Sequence, residues 1–345
     1  MRILHVILSR GFAGSERYVA ELAAQQQREG HEVHVVVARD HRDGGGRSIV
    51  DALPASVARS EIPRWWRSSA RLASLVAAFQ PEVVHAHLRK AARRVATLRV
   101  RHGLRVPCVA TLHIRYNHPV YLQMDALLCS AAWQAAEIPA TYRGTVFTLP
   151  MLLAPHPRLD EGRRAALRAG WGAGPTDLLV GVVGRLTREK GTHVAIEGFR
   201  RARLPGARLM ILGDGREARR LRALLTPDMS LPGFRRDVRD CQAAFDVLVC
   251  PTLRMESGPL VILESLDAGT PVIASDLGGC GELLRQHGGD LFPPGDADAL
   301  AAALARHHAG ARQRHQPDLS VHRIDAVSAR LGMIYRQLQD RDAAH

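Results

Sequence analysis

At 345 residues, 46% of them hydrophobic, the chain is too long for one ordinary core and is expected to divide into two globular domains. No apolar run approaches the roughly 18–20 residues needed to cross a bilayer. The five cysteines (108, 129, 241, 250 and 280) are scattered and form no CxxC pair, which argues against a disulfide framework or a zinc site and for a cytoplasmic protein. The formal net charge of +13 favours partners that carry phosphate, whether nucleic acid, anionic lipid or a polyanionic substrate. Almost all of that charge is arginine, which codon usage explains equally well. Lys90 and Lys190 are the only lysines, and a lysine kept in such a chain reads as one needed as lysine.

The opening "MRILHVILSR" has no Ala-x-Ala-like site after its apolar run, so it reads as a first strand and not a signal peptide. After that strand (2–8) come a glycine turn, the helical "SERYVAELAAQQQREG" and a second strand at 31–38. "RDHRDGGGRS" (39–48) reads as a mobile loop. The segment 81–87 reads as a strand, 88–102 as a helix, and 106–113 and 126–130 as strands. The pattern restarts with a strand at 177–184, a helix at 192–202, a strand at 207–213 and a helix at 216–225; strands at 245–251 and 270–275 follow. Strands alternating with helices predict doubly wound parallel sheets, here two Rossmann-like halves. The proline-rich "LPMLLAPHP" marks the junction, giving domains 1–152 and 153–325. An amphipathic segment, 326–345, is expected to pack back across that junction. Ligands of open α/β sheets bind beyond the carboxyl ends of the strands, so the cleft between two facing domains is the expected site.

Two stretches directly after strands carry the chemistry. In "GRLTREKG", Gly184 and Gly191 bracket a loop holding Arg185 and Lys190, and a helix starts near Thr192. Free N–H groups of a glycine loop and helix N-terminus bind phosphate. The guanidinium adds a planar fork and the ammonium a compact charge, so together they can neutralise a diphosphate without a metal. In "ESGPLVILESLDAG", Glu256 and Glu264 are separated by seven residues around an apolar run. Ionised carboxylates in such surroundings are costly unless something binds them. With Ser257 or Gly258 as cap and Pro259 as the first helical residue, the helix is expected to reach Ala268 and stop at Gly269. That places Glu256 at its mouth and Glu264 in its second turn, a pair suited to two sugars of a nucleotide-sugar. The "DAD" at 296–298 precedes a helix and reads as an ordinary aspartate cap, not a metal site.

These stretches, with "ILGDG" (211–215), "DLGGCGELL" (276–284) and "GGDLFPPGDADALAAAL" (288–304), resemble glycosyltransferase family 4 of the GT-B class, in the family's order across nearly all of 177–304. "GFAGSERYVAELA" resembles its glycine-rich acceptor-domain loop, with weaker likeness in "PEVVHAH" and "TLH". The resemblance implies two Rossmann-like domains facing across a cleft and retaining hexosyl transfer from a nucleotide-sugar, UDP- or GDP-linked, with no cofactor or essential metal. It implies that Arg185 and Lys190 bind the diphosphate, Glu256 the donor sugar and Glu264 the ribose. Gly14 would approach the phosphate, and His113 would lie beside the reacting centre, although His85 and His87 compete for that role. Gly184, Gly213, Phe234, Ser257, Gly258, Pro259, Leu260 and Val261 complete the expected donor-binding set. Two departures stand out: many members carry Phe-Gly where this chain has Gly258-Pro259, and Pro259 has no N–H to give a ligand. The Asn-Gly-Val-Asp-like stretch usual near the junction is missing.

The acceptor is expected to be a saccharide or lipid-linked glycan of a bacterial surface, handled by the basic first half. Helix 88–102 places Lys90, Arg93, Arg94, Thr97 and Arg101 on one face and Leu88, Ala91, Val95 and Leu98 on another. Trp65 and Trp66 beside arginines suit either a membrane headgroup interface or a buried position. Glu16 and Arg17 are further acceptor-side candidates, and the enzyme is expected at the inner face of the cytoplasmic membrane. Two alternatives are a GT-B relative with other chemistry, such as a nucleotide-sugar epimerase, and a nucleic-acid-binding protein. The second has no zinc finger, RRM or KH motif to support it, and no nucleic-acid partner is expected.

Overall fold

The computed structural model describes residues 1–43, 45–64, 68–310, 314 and 316–343. The chain divides into two compact units, Met1–Ala154 with the residues from Ser320 onward, and Pro155–Leu319. In the first unit the strands are β1 (Arg2–Ile7), β2 (Glu32–Ala38), β3 (Ala58–Ile62), β4 (Val83–His87), β5 (Cys108–Leu112), β6 (Ala126–Cys129) and β7 (Thr145–Thr148). They form one parallel sheet in the order β3-β2-β1-β4-β5-β6-β7. Helices α1 (Gly14–Arg28), α2 (Ser68–Phe79), α3 (Leu88–His102) and α4 (Ala132–Ala136) connect them. Strands covered by helices on both faces have no solvent side and so carry unbroken apolar runs: Ile3, Leu4, Val6, Val35, Val36, Val84 and Val109 are fully buried.

The second unit contains α5 (Glu161–Gly170), β8 (Leu178–Val183), α6 (Thr192–Ala202), β9 (Ala207–Leu212), α7 (Ala218–Arg222), β10 (Met229–Gly233) and α8 (Val238–Ala244). It continues through β11 (Val247–Cys250), α9 (Leu260–Asp267), β12 (Val272–Ser275), α10 (Gly278–His287), β13 (Asp290–Phe292) and α11 (Ala297–Ala309). Its parallel sheet runs β10-β9-β8-β11-β12-β13. Both sheets reverse strand order beside their first strand, at β1/β4 and at β8/β11, the place where open α/β sheets bind ligands.

The last helix, α12 (Ile324–Ala343), belongs to the first unit. Leu153 donates its N–H to the His322 carbonyl (2.7 Å) and accepts from Ile324 N–H (3.2 Å), and Tyr335 and Leu331 are fully buried. Two expected helices differ in extent. The stretch expected to be helical over 216–225 is helical only over Ala218–Arg222. Pro259 is the N-cap of α9 and not its first residue: its ψ of 115° is extended, while its carbonyl already accepts from Ile262 N–H at 3.0 Å. Gly269 does follow the helix in the left-handed region, at φ 76°. Asp296 caps α11, accepting from Asp298 and Ala299 N–H at 3.0 and 2.9 Å.

Candidate active site

The loop after β8 and the loop after β11 flank the reversal point of the second sheet and are tied together. Leu253 donates its N–H to the Glu189 carbonyl at 2.8 Å, and Thr252 Oγ1 donates to the same oxygen at 3.2 Å. Gly191, at φ 67°, sits so close beneath the other loop that a Cβ would lie 1.8 Å from the Pro251 carbonyl oxygen. Only glycine tolerates both that backbone conformation and that approach. Gly213 plays the same part on the other side, where a Cβ would meet the Gly184 carbonyl oxygen at 1.8 Å.

This close backbone packing brings predicted residues from different loops into contact. Lys190, ending the 3-10 turn Arg188–Lys190, donates from Nζ to Glu256 Oε2 at 2.7 Å, with both side chains mostly but not fully covered. Gly279, in the first turn of α10, donates its N–H to the Glu256 carbonyl at 2.8 Å. Ser257 and Glu264 are buried and Val261 is half-buried, its carbonyl accepting from Gln242 Nε2 at 3.0 Å. Leu260 opens α9 as a buried residue, and Gly258 remains half-buried before it. Arg185 is exposed, and among the described residues no side-chain hydrogen bond or ion pair engages it. Phe234 follows β10 with about half of its surface exposed (52%). The region therefore offers a held ammonium, an available guanidinium, a carboxylate at the mouth of α9 and a second one inside it.

In the first unit, Gly14 begins α1 with open space where a Cβ would stand. Glu16, an acceptor-side candidate from sequence, is buried and accepts the Ala13 N–H at 2.9 Å, closing the first turn of α1. Arg17 pairs with Glu21 one turn on, at 3.3 Å. Arg93 is exposed and donates to His118 Nε2 at 3.2 Å, and Arg94 donates to the Arg64 carbonyl at 3.2 Å. Trp65 and Trp66 lie outside the described residues. His113 follows β5, partly exposed, with its ring edge-on to Tyr18 at 5.1 Å. Desolvation pushes its imidazole down to about 4.

His85 and His87, read from sequence as rivals of His113, prove to be connected to it. His87 Nδ1 lies 3.0 Å from His113 Nε2, and its Nε2 lies 3.0 Å from His5 Nδ1. Their spacing of two on β4 places both on one sheet face, and the β1/β4 register sets His5 opposite His85. His5, which sequence reading missed, was detectable only through that register. Among the described residues His5, His85 and His87 are also the group whose donor atoms stand close enough for a metal ion, within 4.8 Å. Each of their ring nitrogens already has a hydrogen-bonding partner, however.

The comparisons agree with this anatomy. The structure aligns over its whole length with Anabaena HepE solved with UDP and glucose (TM-score 0.75, 18% identity, 100% of each chain). It aligns equally broadly with a glycosyltransferase from Rickettsia africae (TM-score 0.82, 16% identity, 98% of each chain). These likenesses establish the two-domain α/β fold of the GT-B class. The family model described as Glycosyltransferase Family 4 matches residues 12–143, and that described as Glycosyl transferases group 1 matches 177–309. The chain belongs to glycosyltransferase family 4. WcaL of Salmonella typhimurium, named for colanic acid biosynthesis, is 38% identical over 138 residues, 36% of this chain and 34% of that protein. The lipopolysaccharide core biosynthesis glycosyltransferase LpsE of Rhizobium meliloti is 37% identical over 128 residues, 35% and 37% of the two chains. The chain thus spans about a third of the length of these curated relatives.

Proposed function

We propose that this protein is a retaining, metal-independent glycosyltransferase that moves a hexose from a UDP- or GDP-sugar to a saccharide or lipid-linked acceptor in bacterial surface-glycan synthesis. The observation that carries the reading is the contact of Lys190 with Glu256 beside the reversal point of the second sheet, with Glu264 seven residues on and Arg185 exposed. In this mechanism Arg185, Lys190 and the backbone of the 184–191 loop stabilise charge on the departing diphosphate, the electrostatic term that usually dominates such transfers. Glu256 accepts from hydroxyls of the hexose and Glu264 from the ribose. His113, in the first unit, is the candidate group beside the reacting centre, as the family resemblance implies. The names of WcaL and LpsE, tied to colanic acid and lipopolysaccharide, support the surface-glycan assignment.

The deciding experiment is thermal unfolding with UDP, GDP, ADP, CMP and their sugars, all in EDTA, for the wild type and Glu264→Gln. A ligand at a hundred times its Kd adds about 2.7 kcal/mol. Stabilisation by one diphosphate series, lost in the variant, is expected. Stabilisation by none of them would overturn the reading. The anomeric configuration of the product, followed by NMR, tests retention.

A further inference from the structure

We propose that Gln26 is a positioning residue whose amide, acting through His5 and His87, holds His113 as the tautomer with its proton on Nε2 and a lone pair on Nδ1. The inference concerns His113 as the candidate group beside the reacting centre and rests, for its effect on rate, on the function proposed above.

The connections form one unbroken line. Gln26 in α1 is buried, and its Oε1 lies 2.7 Å from His5 Nε2. A carbonyl oxygen only accepts, so His5 carries its proton on Nε2 and presents a lone pair at Nδ1. His87 Nε2 must then donate across 3.0 Å to His5 Nδ1, leaving His87 Nδ1 as an acceptor. His113 Nε2 donates to that atom, again across 3.0 Å. A neutral imidazole has one donor and one acceptor, so fixing one end of the line fixes the other.

His85, the neighbour of His87 on the same sheet face, has its Nδ1 2.6 Å from the Tyr335 hydroxyl on α12 and its Nε2 2.7 Å from Thr111 Oγ1. Every donor and acceptor in the line is matched in this one direction. A lone reversed member would leave two lone pairs or two N–H groups facing each other in a buried space, where an unmet polar group costs about 1–3 kcal/mol. Neutrality is what the line requires, and burial supplies it: His5 is pushed down to about 4, and His85 and His87 well below the ordinary imidazole value.

The consequence is chemical. With its proton on Nε2, His113 carries a lone pair at Nδ1, which can accept a hydrogen bond and cannot donate one.

The test reads tautomers directly, by long-range proton–nitrogen NMR on the full chain labelled at histidine, with His113→Asn to assign the signals. Wild type at pH 7 should show His113 wholly as the Nε2–H form; the Nδ1–H form would overturn the proposal. Gln26→Met removes the acceptor and should convert His113 to Nδ1–H or to a mixture. An unchanged spectrum in a folded Gln26→Met protein would refute the role of Gln26. His87→Phe severs the line one link nearer and should produce a mixture at His113 even if the first variant does not fold. One equivalent of zinc in the purified protein, bound by the histidines, would also overturn the proposal, because it would take the lone pairs that the line uses. In transfer assays Gln26→Met should lower kcat about tenfold with KM for the donor unchanged. If the wild type transfers nothing while the tautomer is as stated, the functional reading fails and the positioning role stands.

Discussion

Arg185 and Gly191 belong to the same loop and should fail in opposite ways. Arg185 is exposed with no side-chain partner among the described residues, so Arg185→Ala should leave unfolding within about 0.5 kcal/mol of wild type. A hydrogen bond to a charged group is worth about 1.5–3 kcal/mol, so diphosphate affinity should fall at least tenfold; titration calorimetry with the nucleotide found to stabilise the wild type checks this. Gly191→Ala should do the reverse. Its Cβ would collide with the Pro251 carbonyl, and its φ of 67° disfavours any side chain. We expect a loss of roughly 2–4 kcal/mol in urea unfolding, with ligand binding falling only because the tether between Glu189 and Leu253 loosens. A Gly191→Ala protein as stable as wild type would mean that the two loops are not packed as described.

At the scale of elements, α5 is fixed to its sheet by one buried carboxylate. Asp246 accepts from Arg168 Nη1 at 2.8 Å, from Arg164 Nη2 at 3.1 Å and from Leu179 N–H at 2.8 Å. Arg168 is itself buried and also donates to the carbonyls of Ala244, Gly174 and Asp177. Asp246→Ala would leave that guanidinium without its counter-charge, and removing one partner of a buried pair costs about 3–5 kcal/mol. Urea unfolding should show a loss of that size, with the m-value unchanged. Sequence reading did not foresee this pairing, because its partners lie far apart in the chain. It also found nine of the thirteen strands among the described residues, and the four it missed have a common cause. β3, β7, β10 and β13 are the edges of the two sheets. "ARSEI" and "TVFT" show exposed positions along their length, and a strand with one open side lacks the unbroken apolar run that marks a central one. Lys190 and Glu256 were legible as site residues because each sits in the loop past a central strand; their contact with each other was not. The line from Gln26 to His113 was not, since it depends on the register between β1 and β4.

Across the whole molecule, the buried histidines make the first unit the acid-sensitive one. His5 is pushed from an ordinary 6.5 to about 4 by desolvation, which the hydrogen bond to Gln26 only partly offsets; His85 and His87 are held well below 6.5 by burial and then by neighbouring imidazoles, His5 and His113 acting on both and His85 on His87. Above pH 6.5 these groups are neutral in both folded and unfolded chains and contribute nothing to the pH dependence. As pH falls below 6.5 the unfolded chain takes up protons that the folded one refuses, so stability declines and continues to decline until the folded values are reached. For His5 alone that is about 3 kcal/mol by pH 4, and His113, being partly exposed, adds less than its own depressed value suggests. In the second unit, His193 and His287 are lowered by only partial burial, so the same acidification should cost that unit much less. Between pH 6.5 and 5 most carboxylates are still ionised, which isolates the histidines in this window. Hydrogen exchange, corrected for intrinsic rate, should therefore show β1, β4 and β5 losing protection between pH 7 and 5, while β8, β9 and β11 hold theirs. Equal losses in both sheets would mean that the imidazoles are not buried as neutral groups. His87→Phe, which removes one of these imidazoles, should flatten the decline in the first unit and leave the second unchanged.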